Sequence, residues 1–119
     1  KQRCSTSRHN GNIYLRHMLL HAREAVEMAR GRKRTDLDHD RQFNLALTRL
    51  LEIIGEAANR VPEEERIPEI PWPQIVSLRN RLIHGYDEVD FDILWQIITY
   101  DLPQLIEVLE RQVPPDAEA

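Results

Sequence analysis

One stretch of this chain leaves little choice of fold. Between residues 43 and 61, Phe43, Leu47, Leu50, Leu51, Ile54, Ala57, Ala58 and Val61 recur three or four positions apart, with Arg49, Glu52, Glu56 and Arg60 between them. That period over about five turns is one face of an α-helix, and a face so long has to be covered by other elements. No repeat, alternating strand pattern or Gly-rich phosphate loop occurs elsewhere, so the cover is helical and the architecture is all-α. Gly55 stands inside the stripe. In mid-helix it costs about 1 kcal/mol against alanine, which makes sense where a neighbouring backbone or side chain comes close. Glu52 and Glu56, four apart, share a face.

The partners of this central helix are legible from similar patterns. From Asn12 to about Arg30, apolar residues at Ile13, Leu15, Leu19, Ala22, Val26 and Ala29 predict an amphipathic helix that Gly31 stops. Arg32-Lys33-Arg34 then leads through a polar loop to Asp36, Asp38 and Asp40, acids that suit a helix start. Pro62 ends the central helix, and Pro68, Pro71 and Pro73 with Glu63 to Glu65 make a stiff connection. A third helix is predicted from Trp72 or Pro73 to Gly85, burying Ile75, Val76, Leu78, Leu82 and Ile83. Asp90 is the N-cap of a fourth, with Phe91, Ile93, Leu94, Ile97 and Ile98 on its apolar face. Pro103 should kink or break it near Tyr100, before Leu105, Ile106, Val108 and Leu109 resume the pattern. The result is a four-helix, up-down bundle over residues 12–113, with a polar basic extension over 1–11 and a tail over 114–119 that Pro114-Pro115 opens.

At 119 residues with 41% hydrophobic and 30% charged positions, the chain suits one domain that buries roughly two-thirds of its unfolded surface. Its single cysteine, Cys4, rules out an intrachain disulfide and a four-sulfur metal site, which points to a reducing, cytoplasmic setting. No apolar run is long enough for a bilayer, so no membrane partner is expected, and residues 1–12 do not read as a secretory signal. Net charge is −4 but unevenly placed: residues 1–34 sum to +7 and residues 35–119 to −11. Fourteen of the sixteen bases are arginine, the residue suited to forked phosphate contacts, so the basic end is a candidate RNA surface, or simply a solvated one.

The chemistry concentrates in Arg79-Asn80-Arg81-Leu82-Ile83-His84-Gly85-Tyr86. A histidine moves protons near neutral pH, and an arginine holds a phosphate and opposes charge building up in a transition state. Together they supply what RNA cleavage without a metal requires. On an ideal helix Asn80 and His84 share a face, while Arg79 lies about 140° from His84, so convergence needs Gly85 to loosen the last turn. Arg81 points nearly opposite Arg79, as a surface or phosphate-steering residue. One arginine and one histidine do not make a full acid–base cycle; a two-fold dimer would supply two of each. The competing structural reading pairs Arg79 with Glu52 or Glu56 and uses His84 to cap a helix end.

The run Arg-Asn-x-x-x-His-x-Tyr resembles the motif of HEPN-domain proteins, specifically the HepT toxins of prokaryotic toxin–antitoxin pairs. Leu51 to Ala58, Ile70-Pro71-Trp72, Val89-Asp90 and Asp101-Leu102-Pro103 follow in the family's order, so the resemblance covers residues 12–112. It implies a HEPN bundle acting as a homodimer, with metal-independent endoribonuclease activity in a cleft between protomers. Arg79 and His84 would be catalytic, and Asn80 would fill the polar position after the arginine. Tyr86 matches the tyrosine that a partner nucleotidyltransferase antitoxin of the MntA type modifies with AMP. A bulky anion two residues from His84 would block the cleft and repel an RNA phosphate. The alternative is a non-catalytic nucleotide- or protein-binding HEPN bundle, with Tyr86 a packed loop residue.

Other candidates carry less. His17 and His21, one turn apart, lack the acid or cysteine that would complete a metal shell, so no metal or cofactor is expected. His9, His39 and Cys4 are isolated, and Trp72 and Trp95 read as core or dimer packing. The acidic run Asp87-Glu88-Val89-Asp90 beside the motif disfavours polyanion entry unless it engages a partner protein. RNA is the substrate expected, not DNA.

Overall fold

The computed structural model describes residues 2–85 and 88–113, with side chains from residue 12 on. Helix α1 spans Gln2–Ala29 and buries Leu15, Met18, Leu19, Ala22, Ala25 and Ala29. Its backbone begins upstream of the predicted Asn12 because residues 2–11 contain no proline, and Gly11 alone costs only about 1 kcal/mol. Gly31 ends it as predicted, at φ +75°, with the Arg32 N–H donating to Ala29 O at 3.0 Å.

The loop that follows folds on its own charges. Arg32 donates to Asp36 (3.2 Å) and Asp40 (2.9 Å) while its guanidinium lies 3.8 Å over the Phe43 ring. Arg34 donates to Asp38 (3.1 Å) and, across 58 residues, to Asp92 (2.7 Å). A one-turn helix α2, Asp36–His39, buries Leu37 inside this frame. The acids do start helices: Asp40 caps α3, Arg41–Arg60, by accepting from the Phe43 N–H at 3.1 Å.

Helix α3 is the centre of the molecule. It lies along α1 and buries Phe43, Leu47, Leu50, Leu51, Ile54, Ala57 and Ala58. Gly55 answers for its place there, because a Cβ would stand 3.1 Å from Ile75 O, 3.6 Å from Val76 O and 3.7 Å from the Leu78 Cβ. The backbone on the other side of that contact is α4, Trp72–Val76. Trp72 is buried and donates its indole N–H to Ile67 O at 2.8 Å, which pins the proline-rich loop to the core.

The predicted third helix is not one helix. Ser77 turns out of α4 at φ −98°, ψ 19°, its hydroxyl donating to Pro73 O at 2.7 Å. A second short helix, α5, covers Leu78–Leu82 and stops three residues before Gly85. The chain then extends: strand β1, Ile83–His84, pairs antiparallel with β2, Glu88–Val89, in the register Ile83 to Val89 and His84 to Glu88. This two-stranded hairpin was not expected. Asp90 N–H donates to Leu82 O at 2.8 Å, a further bond that holds the extension and that a continued helix would not make.

Asp90 caps α6, Phe91–Gln96, as predicted, accepting from the Asp92 and Ile93 N–H groups at 3.1 Å each. The kink expected near Tyr100 takes the form of a π-helical turn over Ile97–Asp101, in which the Leu102 N–H reaches back to Ile97 O. Pro103 has no N–H to give Thr99 O, so the backbone widens just ahead of it. Helix α7, Leu102–Gln112, returns along α1 and buries Leu102, Leu105 and Leu109. The described residues thus form a mostly helical bundle of α1, α3, the broken α4–α5 and the kinked α6–α7, with one small two-stranded sheet among them. No helix among the described residues is long and apolar enough to cross a membrane.

Candidate functional site

The motif residues sit where α5 gives way to the hairpin. Arg79 and Asn80 are in the first turn of α5 and exposed; His84 is on β1 and exposed. The shared helical face predicted for Asn80 and His84 is therefore lost, since the helix ends at Leu82 before His84 is reached. Among the described residues no hydrogen bond joins Arg79 to His84. Each lies instead near a carboxylate from a different element.

Arg79 Nε lies 3.5 Å from Glu52 Oε2 on α3. The arginine side chain is 65% exposed and the glutamate only 18%, so the anchor is firm and the guanidinium remains open to solvent. Exposed pairs of this kind contribute at most about 1 kcal/mol, so an incoming phosphate competes for the arginine easily. Glu52 is also shared, accepting from Arg49 at 3.2 Å. The pairing anticipated by the structural reading of Arg79 is thus present, in a form too weak to withhold the residue from a ligand.

His84 Nε2 lies 3.8 Å from Asp90 Oδ2, too far for a hydrogen bond. Asp90 is itself immobilised by capping α6 through its other oxygen. One acid of the awkward run is therefore scaffold. His84 does not cap a helix, and at 59% side-chain exposure it stands open. Arg81 turns the other way, its Nη2 3.9 Å from Asp101 Oδ2 on the π turn, as its angular separation from Arg79 predicts. Tyr86 lies outside the described residues, as does Asp87.

Beside this edge is a pocket of about 270 Å³, lined by Arg41, Asn44, Thr48, Arg49, Glu52 and Ile83 together with Leu45, Val89 and Phe91. The sequence reading missed Asn44 and Thr48. Their signal was two polar residues, four apart, on the buried side of the central stripe. It saw Asp90 as a cap and as one of the acids beside the motif, and did not foresee that it would face His84.

The described residues contain no group of three or more His, Cys, Asp or Glu that could hold a metal ion. His17 and His21 are occupied with each other: the His21 Nδ1 is 2.7 Å from His17 O and the rings meet edge to face at 6.3 Å. Of the bases in the basic end, Arg23 meets Glu110 at 2.8 Å, Arg30 meets Glu27 at 2.8 Å, and Arg32 and Arg34 are engaged as described. Those four of its nine bases are thus paired with carboxylates.

The helical bundle, with an exposed arginine and histidine at the broken end of its third helical segment, is a HEPN-type domain. Residues 18–112 match the model of the ribonuclease HepT-like family, and the chain belongs to that family. Similar curated proteins agree. "Putative RNase TTE0752" of Caldanaerobacter subterraneus is 36% identical over 84% of this chain and 88% of its own length. "Putative RNase MJ1380" of Methanocaldococcus jannaschii is 31% identical over 87% and 97% respectively. "Probable ribonuclease HepT" of Thermococcus cleftensis is 43% identical over 60% of this chain and 67% of its own. No solved structure matches the chain.

Proposed function

We propose that this chain is a metal-independent endoribonuclease, the toxin of a prokaryotic toxin–antitoxin pair, in which Arg79 and His84 act on RNA at the interface of a homodimer. The observation that carries the reading is that both motif groups are exposed at one edge of the bundle. Arg79 and His84 are open to solvent, Arg79 3.5 Å from Glu52 on α3 and His84 3.8 Å from Asp90 at the start of α6. Contacts this long and exposed leave both side chains available to a ligand.

The chemistry follows from the residues. An imidazole takes the proton of a 2′-hydroxyl, and that oxygen attacks the adjacent phosphorus. The P–O5′ bond breaks, the leaving 5′-oxygen gains a proton from a second imidazole, and the products are a 2′,3′-cyclic phosphate and a 5′-hydroxyl. Arg79 binds the non-bridging oxygens through a forked contact that strengthens as charge develops. Asn80, exposed beside it, offers an amide donor to the same phosphate or to the sugar. The second imidazole is the partner's copy of His84, which is why the reading requires the dimer. Silencing follows when an MntA-type nucleotidyltransferase antitoxin transfers AMP from ATP to the Tyr86 hydroxyl, two residues from His84, with pyrophosphate leaving.

The test is cleavage of RNA by purified protein in EDTA, with the ends characterised. Wild type should leave 2′,3′-cyclic phosphates, and His84→Ala should lose cutting by at least about a hundredfold while its thermal unfolding is unchanged, the usual share of one acid–base group. Cutting by the variant at the wild-type rate would remove His84 from the mechanism. Saturable nucleotide binding with RNA left intact would favour the second reading, a non-catalytic binding bundle, to which the Arg79–Glu52 pair lends some support.

A further inference from the structure

Thr48 is 9% exposed, and its hydroxyl is shut from water without a hydrogen-bond partner among the described residues. A threonine in mid-helix ordinarily turns its hydroxyl to the carbonyl one turn back, and here it does not. An orphaned buried hydroxyl is destabilising, so its persistence asks for a use. Thr48 lines the pocket between α3 and the β1–β2 pair, with its hydroxyl turned from the opening, and the other walls contain Ile83 and Val89, the two residues paired across the strands. Asn44, one turn before it, is buried and donates its amide to Leu37 O at 2.9 Å, which leaves its carbonyl oxygen as an acceptor.

The rest of the lining fits one kind of guest. Phe91, Val89, Ile83 and Leu45 supply apolar contact for a flat face, and Thr48 and Asn44 supply polar edges. Pockets for whole drug-sized ligands run from roughly 300 to 1,000 Å³, so 270 Å³ suits something as small as one nucleobase. At the rim the charge is positive. Glu52 is shared by Arg49 and Arg79, and Arg41 has no ion-pair partner among the described residues. Arg41 and Arg49 are eight residues apart on α3, about 12 Å of helix, a span of three to four nucleotides of a stacked strand.

We propose that this pocket is a nucleobase subsite, which seats one base of the RNA strand beside Arg79 and His84 while the neighbouring phosphates follow Arg49 and Arg41. The proposal rests on the ribonuclease reading and adds to it a source of sequence preference. A rotation of Thr48 about χ1 presents the hydroxyl to the base edge, so that the orphaned group acquires its partner only when RNA is bound.

The experiment uses the full chain and 2′-O-methyl oligonucleotides, six residues long and homopolymeric in each of the four bases, which no variant is able to cleave. Wild type should prefer one base. Thr48→Val, the same shape without the hydroxyl, should bind that oligonucleotide about three- to tenfold more weakly and lose the preference, whereas Thr48→Ser should keep both. Thr48→Val is expected to fold, because it removes a buried unpaired polar group. If it gains thermal stability and binds all four strands as wild type does, the hydroxyl is only a packing defect and the proposal falls. It falls equally if wild type shows no preference, or if the variant changes the oligomeric state and leaves RNA affinity untouched. Cleavage of unmodified RNA is scored separately, so a wild type that cuts while Thr48→Val binds normally sinks the subsite alone. A wild type that never cuts but shows the Thr48-dependent preference sinks the ribonuclease reading alone.

Discussion

Gly55→Ala should destabilise this protein, against the general rule for a glycine in mid-helix. On helix propensity alone the substitution gains about 1 kcal/mol. Packing against α4 outweighs that gain. The new methyl would stand 3.1 Å from Ile75 O, where ordinary contact begins near 3.4 Å, and the atom it meets is backbone. Ile75 cannot give way alone, because Trp72 on the same short helix is held by its indole bond to Ile67 O and Ser77 is bonded to Pro73 O from the other end. Forcing a methyl into such a contact typically costs 1–3 kcal/mol, so the net is a loss of about 1 kcal/mol. In a domain of this size that lowers Tm by about 4 °C.

The displacement would also travel. Helix α4 runs through Ser77 into α5, so pushing it off α3 moves Arg79 relative to Glu52, already 3.5 Å apart. Cleavage should therefore fall further than stability explains at temperatures where the variant is fully folded. Thermal unfolding followed by circular dichroism reads the first effect, and initial cleavage rates at about 20 °C, well below the midpoint expected of an ordinary domain, read the second. Ala46→Gly, elsewhere on α3, is the control and should cost about 1 kcal/mol from propensity alone. A Gly55→Ala variant more stable than wild type by that amount would mean that α4 yields freely, and the explanation of Gly55 as a close-approach site would be wrong.

Two other outcomes follow from the charges and the motif. Asp40 is held below the ordinary carboxylate range by the Phe43 N–H first and then by Arg32, and Asp36 by the Lys33 N–H first and then by Arg32. A carboxylate with a depressed folded pKa stabilises above its unfolded value, about 3.9, and loses that contribution as pH falls through the folded value. Melting temperature should accordingly hold between about pH 5 and pH 7 and drop below about pH 4, with a shallower drop in Asp36→Asn; an unchanged slope in that variant would discount the loop. For Tyr86, co-expression with the nucleotidyltransferase proposed as its antitoxin should add one or more AMP masses to the intact chain and none to Tyr86→Phe; no gain on wild type would overturn silencing by modification.

The features legible in the sequence were those written in short-range patterns. The stripe of α3, the cap Asp90, the acidic helix start that Asp40 caps, and the stop at Gly31 each depend on residues within one turn, and each was found. The kink was found at its cause, Pro103, although its form as a π turn depends on how Leu102 re-pairs with Ile97. The hairpin was invisible because two strands of two residues carry no period, and Ile83 served a helical stripe as well as it serves a strand. The break at Ser77 was hidden for a related reason: nothing local distinguishes a serine that continues a helix from one that turns its hydroxyl to Pro73 O. Those two departures fall on the candidate site. Arg79, Asn80 and His84 were legible as residue types, while their relation was not, since the angle between positions 79 and 84 holds only if the helix continues.

The charge distribution shows the same division between what composition reveals and what packing decides. A basic end of +7 invited a reading as an RNA surface, but Arg23, Arg30, Arg32 and Arg34 each face a carboxylate, two of them closing the loop between α1 and α3. The acidic remainder looks hostile to RNA by its sum, yet within it Asp90 is a helix cap and Glu52 is divided between two arginines. Attraction for a polyanion is governed by unpaired charge within about one Debye length, roughly 8 Å, of the site. Among the charged groups that line the pocket, Arg41 and Arg49 stand against Glu52 alone, in a chain whose total is −4. RNA association should then weaken with salt in proportion to only a few phosphate contacts, a slope that substituting Arg41 would lower and substituting Arg30, already paired with Glu27, would leave alone.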